Sequence, residues 1–249
     1  MMLLACVPAH AADAVPGVTL PAGTDAYAQL VARAAKGDKA VDFHALRIAY
    51  LTSAARAAEN APDISQLKEA MVRAIDAVAA DRDAAAIARD NEAVRTLAAQ
   101  VLSRRWIDID VHAVMTTACD LLKNKDCSDE SEFVVDGLMK SILASGDGKS
   151  CAKGWEVISA REEYVVMAME DADVKRSDFV QDGGHTCQVL EADDGKGGKL
   201  TFYFNVDLIR ADISSQMAAT PEDKRTAEPA PAAPAAAPVS PTPLRPAEK

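Results

Sequence analysis

The chain has 249 residues, a net charge of −11 and 4% aromatic residues. That length allows one large domain or two small ones around a respectable core. The acidic balance and the lack of a basic patch exclude a nucleic-acid backbone as partner, and abundant Ala with few rings favours closely packed helices over a large aromatic pocket.

Residues 1–11 read as an export signal, in which an apolar run ends in the A-x-A cleavage pattern Ala9-His10-Ala11. No basic segment precedes the run, which points to a start upstream of Met1. Leu3-Leu4-Ala5-Cys6 resembles a lipobox, with Cys6 as the lipidated residue. Only five residues precede Cys6, so cleavage after Ala11 is favoured and a lipoprotein is the runner-up. Residues 12–23 are expected to be a flexible segment. No later run is long and apolar enough to span a membrane in the mature chain.

Residues 24–146 carry a helical pattern. Thr24-Asp25 opens a first helix with Tyr27, Leu30, Val31 and Ala34, ended by Gly37. Asp42 opens a second, with Phe43, Leu46, Arg47 and Tyr50 on one side. A third runs from Ser65 with Leu67, Met71, Ile75 and Val78 as its inner face. A fourth carries Val94, Leu97, Val101 and Leu102, with a separate short turn over Ala84–Arg89. A fifth starts near Asp108, and Ser128-Asp129 caps a sixth. Short connections predict antiparallel hairpins in a tetratricopeptide-like layout, without a repeat signature.

The sixth helix, with Leu138, Met139, Ile142 and Leu143, is expected to end in a left-handed cap at Gly146, followed by the Asp147-Gly148 turn. Gly148-Lys149-Ser150 is not a phosphate loop, because position 143 is Leu and the strand and helix flank it in reverse order. From 147 to 217 a small α+β unit is predicted. Trp155–Ser159 is its first strand, and Ser159 with Glu162 reads as a capping box. Tyr164, Val165, Met167 and Ala168 form the inner side of the next helix. His185–Leu190 and Leu200–Val206 pair through the Asp193–Gly198 turn, giving a three-stranded antiparallel sheet. Ile209–Met217 reads as a last helix. Eight of the 12 prolines lie between Pro221 and Pro246, so residues 218–249 are expected to be a disordered Ala/Pro-rich tail. The fold class is α+β: helical hairpins, then a small antiparallel sheet with one or two helices.

Removing the signal leaves Cys119, Cys127, Cys151 and Cys187, an even number that argues for two disulfides in an exported protein. Three connectivities exist; Cys119–Cys127 and Cys151–Cys187 are expected, the alternative being free thiols in a cytoplasmic protein. No metal site and no cofactor are expected, since no C-x-x-C pair or adjacent His supports one. His112, four residues after Asp108, reads as oriented by that carboxylate, and His44 as a surface residue. A Cys151–Cys187 bond would bring His185 near Asp147 and Ser150, the one grouping resembling a catalytic site. Glu163 and Asp193-Asp194 read as solvated carboxylates. Arg47, a cation on an apolar helix side, needs a partner such as Asp147; binding an acidic ligand is its second reading.

Several segments resemble one bacterial family, domain of unknown function 4919. They are Val41-Asp42-Phe43 with Leu46-Arg47 and Tyr50, Ile107–Asp110 with His112, Gly137-Leu138, Lys140–Ser150, Glu162-Glu163-Tyr164, and Tyr203–Val206. The resemblance spans residues 24–208. It implies an envelope-associated protein of mixed helix and sheet and transfers no activity, and the four cysteines lie outside its pattern.

The leading expectation is a non-enzymatic periplasmic or envelope-associated interaction module for another envelope protein or peptide. Binding would map to a helical groove or to Ser145, Asp147, Lys149 and Ser150, with Arg47 and His185 as further candidates. The alternatives are a hydrolase using His185 with Asp147 or Ser150, and a small-ligand or cation binder at the Asp-Gly turns.

Overall fold

In the computed structural model, residues 25–57 and 64–219 are described, with side chains through Ser214. The expectations placed on the signal, on Cys6, on residues 12–23 and on the tail beyond 219 lie outside these residues. Asp25 and Asp42 each accept a first-turn amide and start α1 (Ala26–Ala34) and α2 (Phe43–Leu51). A single turn, α3 (Ala54–Ala57), follows. Then come α4 (Ser65–Ala79), α5 (Ala84–Leu102), α6 (Ile109–Leu121) and α7 (Lys125–Leu143), each packed on the next. The helical part therefore opens as hairpins, as its patterning and short connections predict.

Several local expectations are corrected. Ala84–Arg89 is no separate turn: Asp83 accepts the Ala86 amide and starts one continuous α5. The sixth helix starts four residues early, because Asn124 accepts the Cys127 amide while the Ser128 hydroxyl donates to Asp120. The buried face of α4 is Leu67, Ala70, Ala74 and Ala77; Ile75 and Val78 are 62% and 46% exposed. Alanine lets helices approach closely, so the less hydrophobic stripe takes the interface. Gly146 is not left-handed. A Cβ there would sit 2.3 Å from the Lys153 carbonyl, so close backbone approach is what requires glycine.

A 3-10 turn over Cys151–Lys153 leads to β1 (Trp155–Glu156), α8 (Ala160–Met169), β2 (Asp173–Asp182), β3 (His185–Asp193), β4 (Lys199–Asn205) and α9 (Asp207–Ala219). The sheet order is β1-β4-β3-β2. It is mixed rather than antiparallel, because β1 runs parallel to β4, with Trp155 opposite Phe204. β2, unforeseen in the sequence, pairs antiparallel with β3 from Asp173–Asp193 to Asp182–His185. It is exposed along almost its whole length, so charged residues fill both faces and no alternation appears. Such charges also blunt a free sheet edge.

Two cores result. The first joins α1, α2, the second half of α7, α8 and the sheet, through Tyr27, Leu46, Leu138, Ile142, Met167 and Phe204 among others. The second lies among α4, α5 and α6 and reaches the start of α7 at Cys127. The boundary drawn at 146/147 thus crosses the first core. The disulfides are the pairing expected: Cys119–Cys127 lies within the second core, and Cys151–Cys187 ties the 3-10 turn to β3, with Cα–Cα distances of 5.8 and 5.6 Å.

Loop-closure entropy sets the expected contribution of each bridge. Replacing Cys151 and Cys187 by Ala, a separation of 36 residues, should cost about 4 kcal/mol. The same change at Cys119 and Cys127, eight residues apart, should cost about 2–3 kcal/mol. Urea unfolding of the two double variants checks the ranking.

Candidate functional site

Arg47 has no exposure, and a buried guanidinium must find acceptors for its donors. Its Nε and Nη2 donate to the two Glu162 oxygens at 2.9 and 2.7 Å. Nη2 also donates to the Glu156 carbonyl at 2.7 Å and Nη1 to the Ser141 hydroxyl at 3.3 Å. The partner is Glu162 and not Asp147, since Glu162 stands on a buried turn of α8 facing α2. Buried and bonded to Glu162, Ser141 and Glu156, Arg47 clamps α2 to α7, β1 and α8. Glu162 also accepts the Ile158 amide at 2.9 Å, which replaces the capping box; the Ser159 side chain makes no cap hydrogen bond.

The inner face of α8 is Glu162, Glu163, Val166 and Met167, while Tyr164 is exposed. Glu163 is therefore buried, not solvated, and neither of its carboxylate oxygens accepts a hydrogen bond among the described residues. Burial, helped by the neighbouring Glu162 charge, pushes its pKa up to about 7. His112 is buried against Trp106, whose carbonyl lies 2.7 Å from Nε2, so Trp106 and not Asp108 orients the imidazole. Burial lowers its pKa to about 4.

The Ser145–Ser150 loop is fastened from within. Ser145 Oγ donates to the Ile142 carbonyl and accepts the Glu156 amide. The amides of Asp147 and Gly148 both donate to the Lys153 carbonyl, and Asp147 Oδ1 accepts the Lys149 amide. Ser150 accepts the Lys153 amide through its carbonyl. Asp147 and Lys149 remain exposed on this rigid turn.

His185 lies on β3, where Cys187 is bonded to Cys151 as expected, but its imidazole turns elsewhere. Nδ1 lies 2.8 Å from Asp207 Oδ2 and 3.3 Å from Asn205 Nδ2. Asp207 also accepts the Thr186 amide. Although partial burial opposes it, that bond and His185 hold the carboxyl below its ordinary pKa. Asp147 and Ser150 are not its partners, and no serine or threonine hydroxyl meets it among the described residues. The Asp193–Gly198 turn closes on itself, Asp194 accepting the Lys196 and Gly198 amides at 2.9 and 2.7 Å.

Sequence reasoning expected a helical groove without locating one; between α4 and α6 lies an open apolar groove of about 490 Å³. α5 provides its floor through Asn91 and Val94, and the walls are α4 and α6. Met71, Ile75 and Val78 stand on one wall, Val114, Thr117 and Leu121 on the other. Both sets have helical spacing, i, i+4, i+7 and i, i+3, i+7. The sequence signal was present, since Met71, Ile75 and Val78 are the stripe first read as the buried face.

Two measurements follow from the buried charges. Arg47→Ala should cost about 3–5 kcal/mol in urea unfolding, because it strands Glu162, whereas Arg47→Met with Glu162→Leu should cost clearly less. Glu163 has a folded pKa above its unfolded one. Its contribution is present below about 4.5 and lost as pH rises through about 7. His112, shifted down, acts in the opposite sense, losing its contribution as pH falls from 6.5 through 4. Between pH 5 and 8, Glu163→Gln should remove on the order of 3 kcal/mol of stability loss relative to the unaltered chain. Parallel pH curves for the two proteins would disprove that assignment.

No curated protein and no solved structure matches the chain. A family model described as Domain of unknown function (DUF4919) matches residues 22–215. This range takes in both cores, the Arg47–Glu162 clamp and the groove, and the chain belongs to that family.

Proposed function

We propose that this protein is an interaction module of the bacterial envelope whose α4–α5–α6 groove seats one amphipathic helix of a partner envelope protein. The observation that carries the reading is the pair of apolar ridges flanking α5. Two walls and a floor of helices leave the place that a further helix fills by ridge-into-groove packing, at an axial distance of about 8–10 Å. An apolar helix face with anchors at i, i+3 or i+4 and i+7 matches the spacing of both walls. Large exposed apolar side chains in one contiguous patch mark such surfaces on soluble folds.

The envelope setting rests on the two disulfides, which persist in oxidising compartments, and on the export pattern of residues 1–11. Among the described residues no helix is long and apolar enough to cross a membrane. A periplasmic chain cleaved after Ala11 is the favoured form; a lipoprotein through Cys6 is the second.

A photo-crosslinking residue at Val78, in the protein expressed in its native envelope, should give one discrete adduct with a different protein. The same residue at exposed Tyr164 should give none. Ile75→Lys should abolish the Val78 adduct while shifting stability by no more than about 0.5 kcal/mol, as expected of a surface position. No adduct at Val78, an adduct only with a second copy of the chain, or an adduct unaffected by Ile75→Lys would each refute the reading.

A further inference from the structure

The polar cleft where the first turns of α6 and α8 meet, about 210 Å³ in volume, is internally matched. Arg105 pairs with Asp108 and Arg161 with Asp110, both at 2.8 Å, and Arg56 donates to Asp212. The free edge of the sheet has no such match. β2 stands last in the strand order and pairs only with β3 among the described residues. Phe179 on this edge is 67% exposed, more than any other large apolar side chain among the described residues.

The direction of each β2 backbone group follows from the strand register. Continuing the β3–β4 register places Thr186 opposite Val206, whose amide donates to the Thr186 carbonyl. Backbone groups of even-numbered β3 residues therefore point to β4, and those of odd-numbered residues point to β2. Cys187, Val189 and Glu191 thus exchange hydrogen bonds with Val180, Asp178 and Arg176, and His185 does so with Asp182. Gly183 and Gly184 both have positive φ, as a two-residue hairpin turn of type I′ requires. Ser177, Phe179 and Gln181 are left with amides and carbonyls directed out of the edge. This regular stretch, residues 176–182, is bounded by the glycine turn on one side and the bulge at Lys175 on the other.

We propose that this edge pairs with the same edge of a second copy of the chain, antiparallel about a two-fold axis at Phe179, joining two four-stranded sheets into one. Opposed residues in an antiparallel pair are either both bonded or both unbonded, so a two-fold register must place one residue opposite itself. With Asp178 on the axis it faces its own copy, and with Val180 there Asp178 faces Asp182; both oppose like charges. With Ser177 or Gln181 on the axis, the pairing meets the bulge or the turn after one residue on either side. Phe179 on the axis uses the whole regular stretch. Arg176 then opposes Asp182 twice, Ser177 opposes Gln181 twice, and the two Phe179 side chains adjoin, with no like charges opposed. The charges that blunt this edge against indiscriminate pairing leave that one register open.

A ribbon of this length is smaller than the roughly 1,200 Å² at which standard interfaces begin, so the association is weak and concentration-dependent. Sedimentation of the purified full chain from micromolar to millimolar concentration should show a monomer–dimer equilibrium. With rising concentration the amides of Ser177, Phe179 and Gln181 should gain protection from hydrogen exchange, while those of Asp178 and Val180 should not change. Phe179→Pro removes an outward N–H and spares the β2–β3 ladder, so it should raise the dimer Kd about tenfold or more. Arg176→Glu alone and Asp182→Lys alone should each be monomeric. An equimolar mixture of those two variants should restore the dimer, because every mixed pair again opposes unlike charges. The proposal is overturned if the chain stays monomeric at millimolar concentration, if the dimer survives Phe179→Pro, or if the mixture stays monomeric. A strand of a different protein held on this edge of a monomeric chain would equally overturn it. Ile75→Lys in the groove should leave the dimer intact, which separates this test from that of the interaction reading.

Discussion

The fold turns on one desolvated guanidinium. Arg47 is inaccessible to water, so its donors must be met by α2's neighbours or the charge cannot be buried. Glu162 on α8, Ser141 on α7 and the Glu156 carbonyl on β1 supply the acceptors. These groups come from positions 94 to 115 residues away in the chain. The first helical pair therefore cannot settle before α7 and the sheet are in place, which makes the first core a cooperative unit rather than a row of hairpins. α7 extends the constraint to the second core, because its first turn holds Cys127 while its second half packs under the sheet. Separate segments that carry the family resemblance, from α2, α7 and α8, meet at this network.

Helix starts were legible in the sequence where an Asp cap precedes an apolar run, as at Asp25 and Asp42. Helix ends were less so. Asp81, Lys123 and Asp171 adopt left-handed backbone after α4, α6 and α8, at φ of 49, 58 and 51°, where glycine would have announced the stop. β2 was unreadable for another reason: a strand exposed on both faces has no alternation to show. The disulfide partners followed from chain order and locality, but not the direction of the His185 ring, which depends on Asp207 just past the end of the neighbouring β4. Glu163 and Arg47 show the same limit. A sequence reveals that a charge lies on an apolar face, yet its partner is fixed only by tertiary packing.

The two concave surfaces differ in chemistry but share a helix. Asp108 and the first turn of α6 line the polar cleft, and Val114, Thr117 and Leu121 wall the apolar groove. At 1.5 Å per residue, the 13 residues of α6 separate these features by no more than about 20 Å. Its middle is pinned by Met115 and Ala118 in the second core and by His112 against Trp106. α6 is thus a strut between a face lined by apolar side chains and a recess lined by ion pairs.

The disulfides join the first to the second and the third to the fourth of the cysteines at 119, 127, 151 and 187. A polypeptide threaded outward from its N-terminus presents these thiols in that same order. An oxidase acting on each pair as it emerges produces the native bonds directly, and no crossed bridge has to be undone. Bonds between consecutive cysteines, closed in chain order, require no later thiol–disulfide exchange.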